Sequence, residues 1–134
     1  MVNASKALIV SAGTVSCERT IEILFRMGLQ FVTCSSLADV HALIEEQTFQ
    51  FVLCSDDLPD CSLQSAVRVL NSCTSGAPVI VLSRLADWDA YMKALGAGAF
   101  DYIASPPDAV ETERIVRLAL AENPPSRKAF HTTA

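Results

Sequence analysis

The chain has 134 residues, 51% hydrophobic and 19% charged, with a formal charge of −5 and a pI near 4.8. That length fits one domain around one core, and that composition excludes whole-chain disorder. The acidic balance argues against direct nucleic-acid binding and against a membrane-surface role, because both surfaces are anionic. Apolar runs are only a few residues long, far short of the roughly 20 that span a bilayer. The run Ala7-Leu8-Ile9-Val10 is also too short for a signal peptide and follows polar Asn3 and Ser5. Cys17, Cys34, Cys54, Cys61 and Cys73 are odd in number and form no C-x-x-C pair. They read as reduced, packed thiols of a cytoplasmic protein, not as a disulfide framework or a metal site.

Short apolar runs alternate with helical patterns along the chain. Residues 7–10 read as a strand, and 15–27 as a helix with Cys17, Ile21, Leu24, Phe25 and Gly28 in one stripe. Residues 29–33 form a second strand. Ser36-Leu37-Ala38-Asp39 then opens a helix in the manner of a capping box, with Leu37, Val40, Leu43 and Ile44 as its apolar face. Residues 51–54 are a solidly apolar third strand. A polar loop leads to a helix at 62–72, facing inward through Leu63, Ala66, Val67 and Leu70. Ser75-Gly76-Ala77-Pro78 breaks the chain before a fourth apolar strand at 79–82. A short helix at 87–95 is ended by Gly96 and Gly98, and 100–103 is the fifth strand. The last helix, 108–122, has Thr112, Ile115, Val116 and Ala119 as its core stripe. This delimits a domain at 1–122, followed by a polar, flexible tail at 123–134 that begins Asn123-Pro124-Pro125.

Five βα units imply an α/β fold with a parallel five-stranded sheet, because parallel strands need crossover helices. Strands apolar on both faces agree, and a doubly wound three-layer sandwich is the natural solution. In such sheets ligands bind beyond the carboxyl ends of the strands. The informative residues are therefore Ser11-Ala12-Gly13, Ser55-Asp56-Asp57-Leu58-Pro59-Asp60, Ser83-Arg84 and Ser105-Pro106-Pro107. No Gly-rich phosphate loop or dinucleotide fingerprint is present, and His41 and His131 fall away from any candidate nucleophile.

Three stretches resemble the receiver domains of two-component response regulators, the CheY-like family. Phe51-Val52-Leu53-Cys54-Ser55-Asp56-Asp57-Leu58-Pro59 resembles the family's third strand, phosphoacceptor and proline turn. Pro78-Val79-Ile80-Val81-Leu82-Ser83 resembles its fourth strand, which ends in Ser or Thr. Gly96-Ala97-Gly98-Ala99-Phe100-Asp101-Tyr102-Ile103-Ala104-Ser105-Pro106 resembles its Gly-Ala…Tyr…Lys-Pro segment. The resemblance covers about residues 6–122 and implies a flavodoxin-like (βα)5 sandwich with strand order 2-1-3-4-5. It also implies a site in which an Asp attacks phosphorus while Mg²⁺, held by an acidic pair, offsets the charge.

Carried over position by position, most of that equipment is replaced. Ser55 stands at the phosphoacceptor position, Ser11 and Ala12 at the acidic pair, and Ser105, before Pro106, at the Lys. Ser83 and the switch aromatic Tyr102 are retained. A neutral hydroxyl without a base is a weak nucleophile, and no carboxylate remains at the pair to hold a divalent ion. The expectation is a pseudo-receiver with no bound metal, no Mg²⁺ cofactor and no catalytic residue. Asp56 and Asp57 admit two readings. One is a register shift that makes Asp56 the phosphoacceptor. The other, preferred because successive residues at a strand end point to opposite sides, is a solvated acidic turn. A Cys-dependent enzyme at Cys54 or Cys61 is a remoter alternative, since no basic group stands near them in sequence.

If the pocket is silent, function falls to a surface. The resemblance points to the face of the fourth helix, fifth strand and fifth helix: Trp88, Tyr91, Lys93, Asp101, Tyr102, Arg114, Arg117 and Leu118. Trp, Tyr and Arg are the types enriched in binding hot spots, although Trp88 and Tyr91 could equally cover the core edge. The expected partner is a histidine kinase, a regulator or output domain, or a second copy of the chain.

Overall fold

The computed structural model describes residues 5–84 and 87–123. Five strands, β1 (Lys6–Val10), β2 (Gln30–Cys34), β3 (Phe51–Ser55), β4 (Val79–Ser83) and β5 (Asp101–Ala104), form one sheet. All pairs are parallel and the order is β2-β1-β3-β4-β5, as the resemblance implied. Five helices connect and follow them: α1 (Thr14–Arg26), α2 (Val40–Glu46), α3 (Leu63–Cys73), α4 (Trp88–Ala97) and α5 (Ala109–Glu122).

The continuously apolar strands explain the three layers. Every residue of β3 and β4 is buried, so both sheet faces must be covered. Strand alternation divides them between two cores. Leu8, Val10, Val52, Cys54, Val79 and Val81 pack on one face against Val40, Ala66, Val67, Leu70, Ala94 and Ala97 of α2, α3 and α4. Ala7, Ile9, Phe51, Leu53, Ile80 and Leu82 pack on the other against Cys17, Leu24, Ile115, Val116 and Ala119 of α1 and α5. Each fully buried Leu, Ile or Phe contributes roughly 1.5–3 kcal/mol by leaving water. The Thr112 hydroxyl is buried on α5 without a hydrogen-bond partner among the described residues.

Several local expectations differ from the structure. Phe25 is 75% exposed, and the inner face of α1 uses Cys17, Thr20, Ile23 and Leu24 instead. Ser36 does not cap a helix in the expected way: its hydroxyl donates to Asp39 Oδ2 at 3.1 Å. The Asp60 carboxylate takes the Leu37 and Ala38 N–H groups at 3.3 and 3.2 Å, and a 3-10 turn (Leu37–Asp39) precedes α2. Helices expected from residues 62, 87 and 108 begin one residue later, because Ser62, Asp87 and Asp108 are their caps. The first strand starts at Lys6, and β2 runs from Gln30 to Cys34 instead of 29–33.

The α4–β5 junction is tightly specified. Gly96 is helical, and Gly98 ends α4 at φ 114°. A Cβ there would collide with the Asn71 side chain, whose Nδ2 donates to Gly98 O at 2.9 Å. The tail proposed for 123–134 lies outside the described residues apart from Asn123, which donates from Nδ2 to Gln50 O at 3.0 Å.

Candidate functional site

The strand ends that the sequence singled out meet at one edge of the sheet. Parallel register pairs Val10 with Cys54, Cys54 with Val81, Ser55 with Leu82 and Ser83 with Ala104. Ser11, Ser55 and Ser83 are all buried, and Ser11 Oγ donates to Gly13 O at 3.0 Å. Ser105 donates its N–H to Ser83 O at 2.7 Å, and the Ser105–Pro106 peptide bond is cis.

The two acids after β3 are not a solvated turn, which corrects the preferred sequence reading. Strand alternation explains where each goes. Cys54 and Val81 share one sheet face, and two residues on along each chain Asp56 and Ser83 meet. Ser83 Oγ donates to Asp56 Oδ2 at 2.9 Å, and the Arg84 N–H donates to the same oxygen at 3.2 Å. The Arg84 guanidinium lies 3.6 Å from Oδ1, and the Asp56 side chain is only 12% exposed. Asp57 turns the other way, towards the loop after β1. Its Oδ1 and Oδ2 accept the N–H groups of Ala12 and Gly13 at 3.2 and 3.1 Å.

This donor set fits a hard divalent cation poorly. Mg²⁺ wants several oxygen ligands, carboxylates among them, in near-octahedral array. Ser11, Ala12 and Ser55 supply no carboxylate, and those of Asp56 and Asp57 already accept protein donors. Among the described residues no group of three or more His, Cys, Asp or Glu side chains is placed to hold a metal ion.

Burial, helped by neighbouring acids, pushes the thiols up. Cys54 rises to about 12 and Cys34 to about 11, with desolvation the leading cause in both. Cys61 and Cys73 are raised for the same first reason. Such groups are protonated at neutral pH and poor nucleophiles.

The expected interaction face is arranged around three rings. Trp88 is 73% exposed, so it does not cover the core edge. Its ring centroid lies 5.3 Å from Tyr91, which meets Tyr102 edge-on at 5.8 Å. With Asp87 and Ala104 the rings line an open groove of about 430 Å³. Lys93 pairs with Asp89 at 3.0 Å, Arg114 with Glu111 at 2.6 Å and Arg117 with Glu113 at 3.3 Å, all within their own helices. Pairing with Arg114 holds the Glu111 carboxyl below its ordinary range. Asp101 Oδ1 accepts the Tyr102 N–H at 2.7 Å, and Leu118 is exposed on α5.

Sequence reasoning placed these residues but missed three connections: Asp56 to Ser83, Asp57 to the β1 loop and Asp60 to the α2 start. Each joins residues at least 22 apart, and no local pattern encodes it.

No helix among the described residues is long and apolar enough to cross a membrane. No family model matches the chain. It is 28% identical over 129 residues, 96% of its length, to the response regulator protein PilR of Pseudomonas aeruginosa, and covers 29% of that protein. The chain thus spans less than a third of the length of the curated relatives it matches. A CheY-like response regulator receiver domain protein from Methanospirillum hungatei superposes with a TM-score of 0.78 at 23% identity, covering 90% of this chain and 97% of that one. The receiver domain of the Pseudomonas aeruginosa sensor histidine kinase PA1611, whose active-site cleft coordinates a magnesium ion, gives 0.76 at 22% identity, with 89% and 99% covered. Strand order and these superpositions give the chain the CheY-like fold.

Proposed function

We propose that this domain serves two-component signalling through protein contact and not through phosphorylation of an aspartate. One observation carries the reading: both carboxylates near the strand ends accept hydrogen bonds from the protein itself, while Ser11, Ala12, Ser55 and Ser105 stand where the receiver resemblance calls for acids and a Lys. Phosphoryl transfer to a carboxylate needs positive charge on the phosphoryl oxygens. Neither a metal-binding acid pair nor a lysine is available here to provide it.

The domain, residues 1–122 with a tail at 123–134, then acts in the cytoplasm as a non-enzymatic module. Its partner, a histidine kinase, a regulator, an output domain or a second copy, docks on the groove of Trp88, Tyr91 and Tyr102 and on the adjoining α5 surface. The rings supply rigid contact area at low entropic cost. The high thiol pKa values of Cys54 and Cys34 weigh against a Cys-dependent enzyme.

A second reading has one observation in its favour. Asp56 faces Ser83 Oγ at 2.9 Å, and the resemblance assigns that hydroxyl to the phosphoryl group. Incubation with acetyl phosphate and Mg²⁺, followed by intact mass measurement, decides between them. An unchanged mass is expected. A gain of one phosphoryl group that disappears in Asp56→Asn establishes the second reading and overturns the first.

A further inference from the structure

We propose that the trough between α1 and the open edge of β2 is a docking site for this chain's own terminal segment, residues 124–134, which pairs along β2 with Phe130 against Phe25 and Phe31. This goes beyond the signalling reading and does not depend on it.

Two unsatisfied features meet at this edge. The first is apolar. Phe25 on α1 is 75% exposed, and with Ile21 and Phe31 it lines a trough of about 480 Å³ whose other walls are Glu18, Arg19 and Glu22. Ile21 and Phe31 pack against the core beneath α1, so the trough brings that core to the surface. The second feature is main chain. Among the described residues β2 pairs with β1 alone. The Gln30 N–H donates to Ser5 O at 3.1 Å, and Cys34 O accepts the Ser11 N–H at 2.9 Å. Gln30, Val32 and Cys34 therefore turn their main chain towards β1, and Phe31 and Thr33 turn theirs outwards. No hydrogen bond to the Phe31 or Thr33 main chain is made among the described residues. The strand Gln30-Phe31-Val32-Thr33-Cys34 holds no Lys, Pro or acid, with which sheet edges are ordinarily blunted. An open, uncharged edge beside an apolar trough suits an extended segment that adds to the sheet.

Reach and charge single out the occupant. Asn123 leaves the described fold at the amino end of the sheet: its Nδ2 donates to Gln50 O, and the Gln50 N–H donates to Lys6 O at 2.9 Å. The outer side of β2 lies three strand spacings from β3, about 14 Å. Five extended residues span about 17 Å. Residues 124–128, which open with the extended dipeptide Pro124-Pro125, therefore suffice to bring residues 129–133 alongside β2. Arg127 and Lys128 are cations and the segment holds no acid, which leaves residues 1–123 at −7 against −5 for the whole chain. The trough offers Glu22 and also Glu18, which has no ion-pair partner among the described residues. Phe130, Thr132 and Thr133 are strand-forming types, and Phe130 is the one aromatic side chain of the segment.

Nuclear magnetic resonance of the full chain tests this directly. The Phe31 and Thr33 N–H groups should exchange slowly with solvent, and the Phe130 ring should show nuclear Overhauser contacts to Phe25 and Phe31. Phe130→Ala, and separately Arg127→Glu with Lys128→Glu, should speed exchange at both N–H groups by about tenfold or more. The Val52 N–H, bonded to Pro78 O inside the sheet, should be unaffected in each. Phe25→Ala, at an exposed site, should open the same edge from the trough side. Exchange at Phe31 and Thr33 as fast in wild type as in the variants overturns the proposal. So does protection that survives both tail variants, or protection that fades on dilution, which assigns the edge to a second copy of the chain.

Discussion

Asp56 and Asp57 are neighbours in sequence, yet they serve opposite rims of the same cleft. Asp57 closes the β1 side by accepting two backbone N–H groups from Ala12 and Gly13. Asp56 closes the β4 side by taking a hydroxyl, an N–H and a guanidinium from Ser83 and Arg84. The β1 rim is thus a seam of small residues, Ala12 and Gly13, held by one carboxylate. The β4 rim leads to an exposed Trp and two Tyr rings that meet edge to face. The contrast teaches that two adjacent carboxylates at one strand end can tie down two different loops. One rim can be sealed while the other still presents a surface.

The strongest way to break this contrast is to put charge back on the sealed side. Ser55 is 4% exposed, and its replacement by Asp buries a carboxylate with no acidic-pair metal to offset it. Ser55→Asp should cost about 3 kcal/mol of stability, as an uncompensated buried charge does. Urea denaturation measures this. The variant should still gain no phosphoryl mass from acetyl phosphate and Mg²⁺, and a labile adduct would show that the rim retains its chemistry.

Raising pH probes the thiols packed beneath and beside the same rim. Cys54 titrates near 12 in the fold against 9.0 for an unburied thiol, and Cys34 near 11. Because both folded values are raised, the stability they carry is intact below pH 9 and is lost as pH climbs towards the folded values. Cys54 alone should contribute a fall of roughly 1 kcal/mol per pH unit above that point, with Cys34 adding less because it is only half-buried. Denaturation series at pH 8 and at pH 10 check the sign. At neutral pH, Cys54 should resist alkylation until the chain is unfolded.

Much of the framework was legible because its signals are local. Val79-Ile80-Val81-Leu82 is apolar at every position, which only a strand covered on both faces explains. The caps at Ser62, Asp87 and Asp108 lie within a few residues of the groups they bind. The places of Ser11 just after β1 and of Ser55 at the end of β3 follow from the same strand signals. What stayed hidden depends on long-range contact. Asp60 takes over the start of α2 from across a strand, so the Ser36 pattern misled. Phe25 fits a helical stripe as well as Ile23 does, and only the packing of α1 on α5 and the sheet decides which faces inward. Asp56 finds its partner because two parallel strands end in register, which a single chain pattern does not reveal.

A milder test separates the rims by their readouts. Asp57→Ala removes the acceptor of two N–H groups at a partly exposed site, and should cost about 1 kcal/mol. It should leave Trp88 emission unchanged, because its hydrogen-bond partners, Ala12 and Gly13, lie in the loop after β1 and do not line the groove.

The smallest effect on stability belongs to the residue with the largest expected effect on association. Trp88 is 73% exposed, so most of its ring already contacts water, and Trp88→Ala should change stability by less than about 0.5 kcal/mol. Its stacking on Tyr91 at 5.3 Å is a surface contact whose loss lets Tyr91 repack at little cost. If the groove is the contact surface, the same substitution should weaken partner binding or self-association at least tenfold, as truncation of a hot-spot aromatic does. Analytical ultracentrifugation reads the homodimer case, and titration of a kinase or output-domain partner reads the other. A Trp88→Ala chain that is as stable and associates as tightly as wild type would place the docking surface elsewhere on the fold. A chain that loses stability would mean that Trp88 completes the core after all, and the contrast between the rims would then rest on Asp56 alone.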